Sequence, residues 1–225
     1  MIAELREAIG DGENRHLIVD NVISSPLLKL LRDVSKSDGE FEEVLKLRSA
    51  AKESGAAPSS APRGTVSAQR FAHAEDNDKF INQRRLTGPK PGKEGSPAMN
   101  ADTLLRRAFQ SEGFLSWLTQ ITGITISRAG GINLKLHGPG SFLRRHSDER
   151  AGRKVCLVLY IHEDWQDEYA GRFLLHLADG TTKAIDPIPN RLILFDVRQK
   201  NAHEVEGLGD VPSGWVRINY SAWFG

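Results

Sequence analysis

Two histidines and an aspartate have the types and placement to share one metal ion. In His146-Ser147-Asp148 an imidazole and a carboxylate stand two residues apart. On an extended strand such a pair points to the same side. With seven histidines and 14 aspartates in the chain, about 0.4 such triplets arise by chance, so the triplet alone is a weak signal. Its surroundings strengthen it. His203 lies far downstream in Asn201-Ala202-His203-Glu204-Val205, at the edge of a strand-like run. Arg217 follows among largely apolar neighbours, in Trp215-Val216-Arg217-Ile218-Asn219-Tyr220-Ser221-Ala222-Trp223. Apolar neighbours imply that it points inward, and a buried arginine needs an anion beside it. Two histidines and one carboxylate with open positions are the ligand set of non-haem Fe(II) oxygenases. An inward arginine would hold a carboxylate cosubstrate through two parallel hydrogen bonds.

The elements that must position these residues fall into two halves. The spacing predicts a helix over 1–9 ending at Gly10, a strand over 16–22, and a helix opening at Ser25-Pro26, where serine caps and proline fits the first turn. A further helix is expected over 41–51. Residues 101–122 read as helical, with a new segment starting at Ser111 and a stop at Gly123. Two polar stretches rich in glycine and proline, 52–65 and 83–97, read as flexible loops. Either could be a lid. Arg84, Arg85, Lys90 and Lys93 in the second would then suit an acidic substrate, although a solvated basic run is the simpler reading.

From about residue 124 the period changes. Short strands are expected over 124–128, 132–136, 155–161, 172–177, 181–185, 192–197 and 215–223, separated by turn residues. This pattern predicts an α+β, mainly β protein: a jelly-roll core with helices packed on one outer face.

Composition narrows the function classes. The 225 residues carry 30 Lys and Arg against 29 Asp and Glu, a formal charge of +1. Electrostatically driven binding to nucleic acid or to a membrane is therefore not expected. No apolar run approaches the roughly 18–20 residues of a membrane span. The single cysteine, Cys156, allows no intrachain disulfide. With an acidic rather than basic N-terminus, this points to the cytoplasm.

Residues 134–224 resemble the double-stranded β-helix core of the Fe(II)/2-oxoglutarate-dependent oxygenases, and within it the prolyl-hydroxylase branch. The resemblance is carried by His146-Ser147-Asp148, by 156–161 running into His162-Glu163-Asp164-Trp165, by 186–195, by 201–205 and by 217–223. Residues 1–128 resemble the family only loosely, as a mainly helical support, so that 1–225 would form a single oxygenase domain with its double-stranded β-helix over 129–225. The resemblance implies that His146, Asp148 and His203 hold Fe(2+) and that Arg217 pairs with the distal carboxylate of 2-oxoglutarate. Tyr160 would reach the same carboxylate, and Ser221 on the face of Arg217 could assist. His137 stands near a position where many relatives carry tyrosine, and its role is open. Arg145 and Trp223 are candidates for contact with the primary substrate. O2 would be the second cosubstrate and ascorbate a possible reductant.

The implied reaction is hydroxylation of an unactivated C–H bond with release of succinate and CO2. Related halogenases lack a carboxylate where Asp148 stands, so Asp148 favours hydroxylation, with desaturation or ring closure open. The substrate would be a prolyl residue of a protein or a small molecule. The alternative is a non-catalytic jelly-roll module that binds a metal for stability or sensing.

Overall fold

The computed structural model describes residues 2–9, 15–53, 64–198 and 202–225. The helix stop assigned to Gly10, most of the loop expected over 52–65, and Asn201 of the His203 motif lie outside them. In chain order the elements are α1 (Ile2–Ile9), β1 (His16–Asp20), α2 (Ser25–Asp33), β2 (Gly39–Leu47), α3 (Arg48–Glu53), α4 (Ala68–His73), β3 (Lys79–Pro89), α5 (Pro97–Gln110) and α6 (Glu112–Thr122). Eight strands follow: β4 (Ala129–His137), β5 (Phe142–His146), β6 (Val155–Tyr160), β7 (Phe173–His176), β8 (Thr182–Ile185), β9 (Arg191–Asp196), β10 (His203–Val205) and β11 (Arg217–Phe224).

All strand pairs are antiparallel. The order is β1-β9-β6-β11-β4-β3-β5-β10-β7-β8, with β2 on the other edge of β3. β3 is the seam. Its Arg84 and Arg85 pair with β4, whereas Ile81 and Asn82 pair with β5. The sheet therefore splits beside β3 into two halves that face each other. This is the jelly roll of a mainly β, α+β protein.

Alternation along the central strands builds two cores. Leu134, Leu157, Leu194 and Phe224 face outward into one apolar cluster with Leu31, Leu105 and Leu118 of the helices. Their strand neighbours Val158, Tyr160, Ile193 and Phe195 face inward into a second cluster with Phe80 and Phe173. Each fully buried side chain of this size contributes about 1.5–3 kcal/mol. The helices thus cover one outer face, and the interior between the sheet halves is left for the site. Tyr220, also outward, donates its hydroxyl to Asp102 of α5 at 2.6 Å, and Asp102 accepts from Arg106 at 2.8 Å.

Several boundaries differ from expectation. The helix expected over 41–51 is the strand β2 followed by the short α3. Its Glu, Leu and Lys residues favour a helix locally, but β2 pairs with β3 along its whole length, and tertiary pairing overrides weak propensity. The loop expected over 83–97 is, in its first half, the second half of β3, followed by a turn over 90–96 that leads into α5. Its polar residues mislead because this strand runs past the mouth of the interior. Residues 1–128 are accordingly not only helical: three strands lie there. The stretch 124–128 is extended but joins no ladder; instead Ser127 and Arg128 donate their backbone N–H groups to Gly225. Residue 24, rather than Ser25, precedes the first turn of α2, and its side chain makes no capping bond. The break at Ser111 holds, with its hydroxyl accepting from Phe114 N. Gly123 takes φ +66° at the end of α6, a left-handed turn that glycine adopts without strain.

Candidate active site

The ladder between β5 and β10 sets His203 directly opposite His146, and their rings lie 4.3 Å apart, centroid to centroid. Asp148 stands just beyond the end of β5, so strand alternation is not what aims it. Its oxygens are 3.8 Å from His146 Nε2 and 3.5 Å from His203 Nε2. Other groups hold it: Trp223 Nε1 donates to Oδ2 at 2.8 Å and Arg153 Nη1 to Oδ1 at 3.4 Å. All three side chains are buried, and one ligand atom from each lies within 4.8 Å of the others.

The protonation chemistry suits a cation. His146 Nδ1 sits 2.9 Å from the Arg144 carbonyl, which leaves Nε2 to face the cluster. Burial, reinforced by His203, depresses His146 to about 3, so the ring is neutral at physiological pH. Burial pushes the Asp148 carboxyl up, but the hydrogen bond and charge of His203, then His146 and the Trp223 N–H, outweigh it and hold it well below the usual carboxylate range. A neutral imidazole at His146 and an ionised carboxylate at Asp148 are protonation states that suit a divalent metal.

Beside this cluster lies an interior cavity into which β11 points Arg217, Asn219, Ser221 and Trp223. The ladder between β11 and β4 pairs Arg217 with His137, and that between β11 and β6 pairs Asn219 with Tyr160. Arg217 is 1% exposed. It donates Nη1 to the Gly171 carbonyl at 2.6 Å and Nη2 to Asn219 Oδ1 at 3.4 Å. Nη2 also lies 3.4 and 3.5 Å from the two ring nitrogens of His137. Burial, then the Arg217 charge, depresses His137 well below the usual histidine range, so it faces the guanidinium as a neutral ring. Among the described residues no carboxylate pairs with Arg217. Its Nε, the Tyr160 hydroxyl and the Ser221 hydroxyl are all buried without a hydrogen-bond partner.

Most of the expected site residues therefore meet in one place: His146, Asp148, His203, Arg217, Tyr160, Ser221, His137 and Trp223 all line this cavity. Arg145 does not. It is exposed and alternates away from its inward neighbour His146. In the former loop, Arg85 pairs with Glu42, Lys93 with Asp38 at 3.4 Å, and Arg84 lies over Phe41. Asn219, Lys135, Gln83 and Arg153 also belong to the site. Asn219 was legible from its two-residue spacing to Arg217 and Ser221. Gln83 and Arg153 arrive from distant segments and carry no local signal.

The family described as the 2OG-Fe(II) oxygenase superfamily matches residues 132–225, the segment that holds this whole constellation apart from Gln83. Residues 132–225 belong to that superfamily. This oxygenase segment is also similar to the prolyl 3-hydroxylase OGFOD1 of Xenopus laevis, 30% identical over 119 residues, or 50% of this chain and 23% of that protein. The mouse OGFOD1 is 27% identical over 125 residues, 52% of this chain and 22% of its own. The chain thus spans less than a quarter of the length of these curated relatives. In fold the chain resembles a Pseudomonas putida prolyl-4-hydroxylase, with a TM-score of 0.63 and 17% identity over 100% of this chain and 98% of the other. A Trichoplax adhaerens prolyl hydroxylase, solved with a peptide fragment of a hypoxia-inducible-factor oxygen degradation domain, gives a TM-score of 0.63 at 18% identity, over 99% and 90%. Membership of the superfamily implies Fe(2+), 2-oxoglutarate and O2. No helix among the described residues is long and apolar enough to cross a membrane.

Proposed function

We propose that this chain is an Fe(II)- and 2-oxoglutarate-dependent hydroxylase whose iron ligands are His146, Asp148 and His203. One observation carries the reading. Three buried donors without acceptors, Arg217 Nε, Tyr160 OH and Ser221 Oγ, share a cavity with a buried His-Asp-His cluster. Leaving such groups unsatisfied costs about 1–3 kcal/mol each. A dicarboxylate whose far end lies on Arg217 satisfies all three, and its near end reaches toward the ligand cluster. A metal held only for stability has no use for these donors, which weighs against the non-catalytic module.

Each side chain then has a task. Arg217 binds the distal carboxylate, with Tyr160 and Ser221 donating to the same group. Asn219 and the neutral His137 fix the guanidinium. Trp223 orients Asp148, as partners behind metal ligands generally do. Phe173 and Phe195 wall the cavity and exclude water. When bound, iron supplies the activation of O2, and oxidation of 2-oxoglutarate to succinate and CO2 accompanies hydroxylation of a C–H bond. Ascorbate is the reductant expected to keep the iron ferrous, and the cytoplasm the expected compartment. From the names of its relatives, a prolyl residue is the first substrate to try. Residues 1–225 act as one oxygenase domain in this reading.

The test is 2-oxoglutarate binding to the Mn(II)-loaded chain, together with succinate release by the Fe(II)-loaded chain. The reading predicts metal-dependent binding of 2-oxoglutarate and slow succinate release even without primary substrate. Absence of both overturns it.

A further inference from the structure

Past the cluster lies an outer cavity of about 210 Å³ that shares Gln83, Lys135, His146, Asp148 and Trp223 with the interior one and whose lining carries a marked charge excess. Five cations face it: Lys46 of β2, Arg85 of β3, Lys135 of β4, and Arg150 and Arg153 from the segment after β5. Asp148 is the one carboxylate among its lining residues, and it is assigned to iron. Arg85 pairs with Glu42 outside the lining, Arg153 pairs with Asp148, and Lys46 and Arg150 make interactions of their own; the lining itself still sets five cations against one carboxylate. Burial, then repulsion from Arg150, Arg85 and Lys135, lowers the Lys46 ammonium below its usual value. The Lys135 ammonium lies over the Trp223 ring at 5.3 Å and makes no hydrogen bond among the described residues. Gln83, which lines both cavities, is 5% exposed and its side-chain carbonyl has no donor.

We propose that the primary substrate is an anion, with a carboxylate or similar group next to the oxidised carbon seated among Lys46, Lys135 and Arg150, and a donor N–H or O–H given to Gln83. The proposal rests on the oxygenase reading for the place of the reacting carbon. A cleft lined by one sign of charge concentrates ligands of the other sign. An anion there relieves the mutual repulsion that neutral or cationic substrates leave in place. The five side chains come from four separate segments, so the excess is a property of the folded mouth and not of one solvated basic run.

The anion could be an acidic polypeptide segment or a small carboxylate, and the experiment separates them. The full chain is loaded with Mn(II) and 2-oxoglutarate. Binding is measured by fluorescence anisotropy for a labelled prolyl peptide flanked by glutamates, the same peptide flanked by alanines, and the same flanked by lysines. N-acetylproline and its amide serve as unlabelled competitors. The acidic peptide is expected to bind about tenfold or more tighter than the lysine peptide, with the preference shrinking as salt is added. Competition by N-acetylproline but not by its amide, with no gain from the glutamates, assigns the anion to a small molecule and also supports the proposal. Equal binding of all charge types, or binding of none, overturns it.

The double variant Lys46→Glu with Arg150→Glu is expected to reverse the order. If it melts early, Lys46→Gln with Arg150→Gln is expected to cut the preference to about threefold or less. An undiminished preference in a folded variant also overturns the proposal. Failure of the oxygenase reading shows differently, as loss of metal-dependent 2-oxoglutarate binding whatever the charge preference.

Discussion

The indole N–H of Trp223 donates to Asp148 Oδ2 at 2.8 Å, joining the last strand to the carboxylate of the buried His146, Asp148 and His203 cluster. Trp223 itself is clamped. Its ring packs against Gly131, where an added Cβ would lie 3.0 Å from the ring, and the Arg153 guanidinium covers it at 4.3 Å. In the proposed reading, this residue, singled out from the sequence for substrate contact, orients Asp148 as an iron ligand.

Trp223→Phe removes that donor and keeps most of the bulk. Metal affinity is expected to fall about tenfold, measured by competition with a chelator, while 2-oxoglutarate binding at saturating metal stays close to wild type. Unchanged metal affinity would show that Arg153 alone orients Asp148.

Arg217→Ala removes a buried guanidinium with no carboxylate partner among the described residues. The dissociation constant for 2-oxoglutarate is expected to rise about 100-fold by calorimetry on Mn(II)-loaded protein, with metal affinity nearly unchanged. Arg217→Lys is expected to recover only part of the loss, because an ammonium lacks the planar fork. An Arg217→Ala variant with wild-type cosubstrate affinity would place the carboxylate elsewhere.

His162 is fully buried behind Tyr160, and burial depresses it to about 3. Unfolded, it titrates near 6.5. Between these values the unfolded chain holds a proton that the folded chain refuses, so stability is full above about pH 6.5 and falls as pH drops toward 3. His162→Gln is expected to lower the slope of unfolding free energy against pH by up to about 1.4 kcal/mol per pH unit in that window. Urea titrations of the metal-free protein at several pH values between these limits provide the measurement. Parallel slopes would contradict the assignment.

Tyr220→Phe removes the hydroxyl that ties β11 to Asp102 of α5. Asp102 keeps Arg106, so the expected cost is about 1 kcal/mol by chemical denaturation, with cosubstrate affinity unchanged. A loss of affinity instead would mean that the helix layer positions Arg217.

Much of the site was legible in the primary structure. Alternation along β11 is local, so Arg217, Ser221 and Trp223 sharing a face follows from spacing alone, and Asn219 belongs with them on the same ground. The helix stop at Gly123 and the break at Ser111 rest on equally local chemistry. β2 and β3 were misread because their identity as strands comes from pairing with each other across more than thirty intervening residues, against the helix preference of one and the loop-like composition of the other.

The amino-acid order by itself determined the types of chemistry available and the residues facing inward on each strand, since two-residue periodicity needs no partner. Tertiary structure alone decided what meets what. The β5–β10 register brought His203 opposite His146, Trp223 and Arg153 aimed an aspartate that lies beyond its strand, and the seam at β3 assembled Lys46, Gln83, Arg85 and Arg150 around one opening. Such contacts depend on long-range pairing, whose free energy is shared over the whole sheet and is written in no single segment.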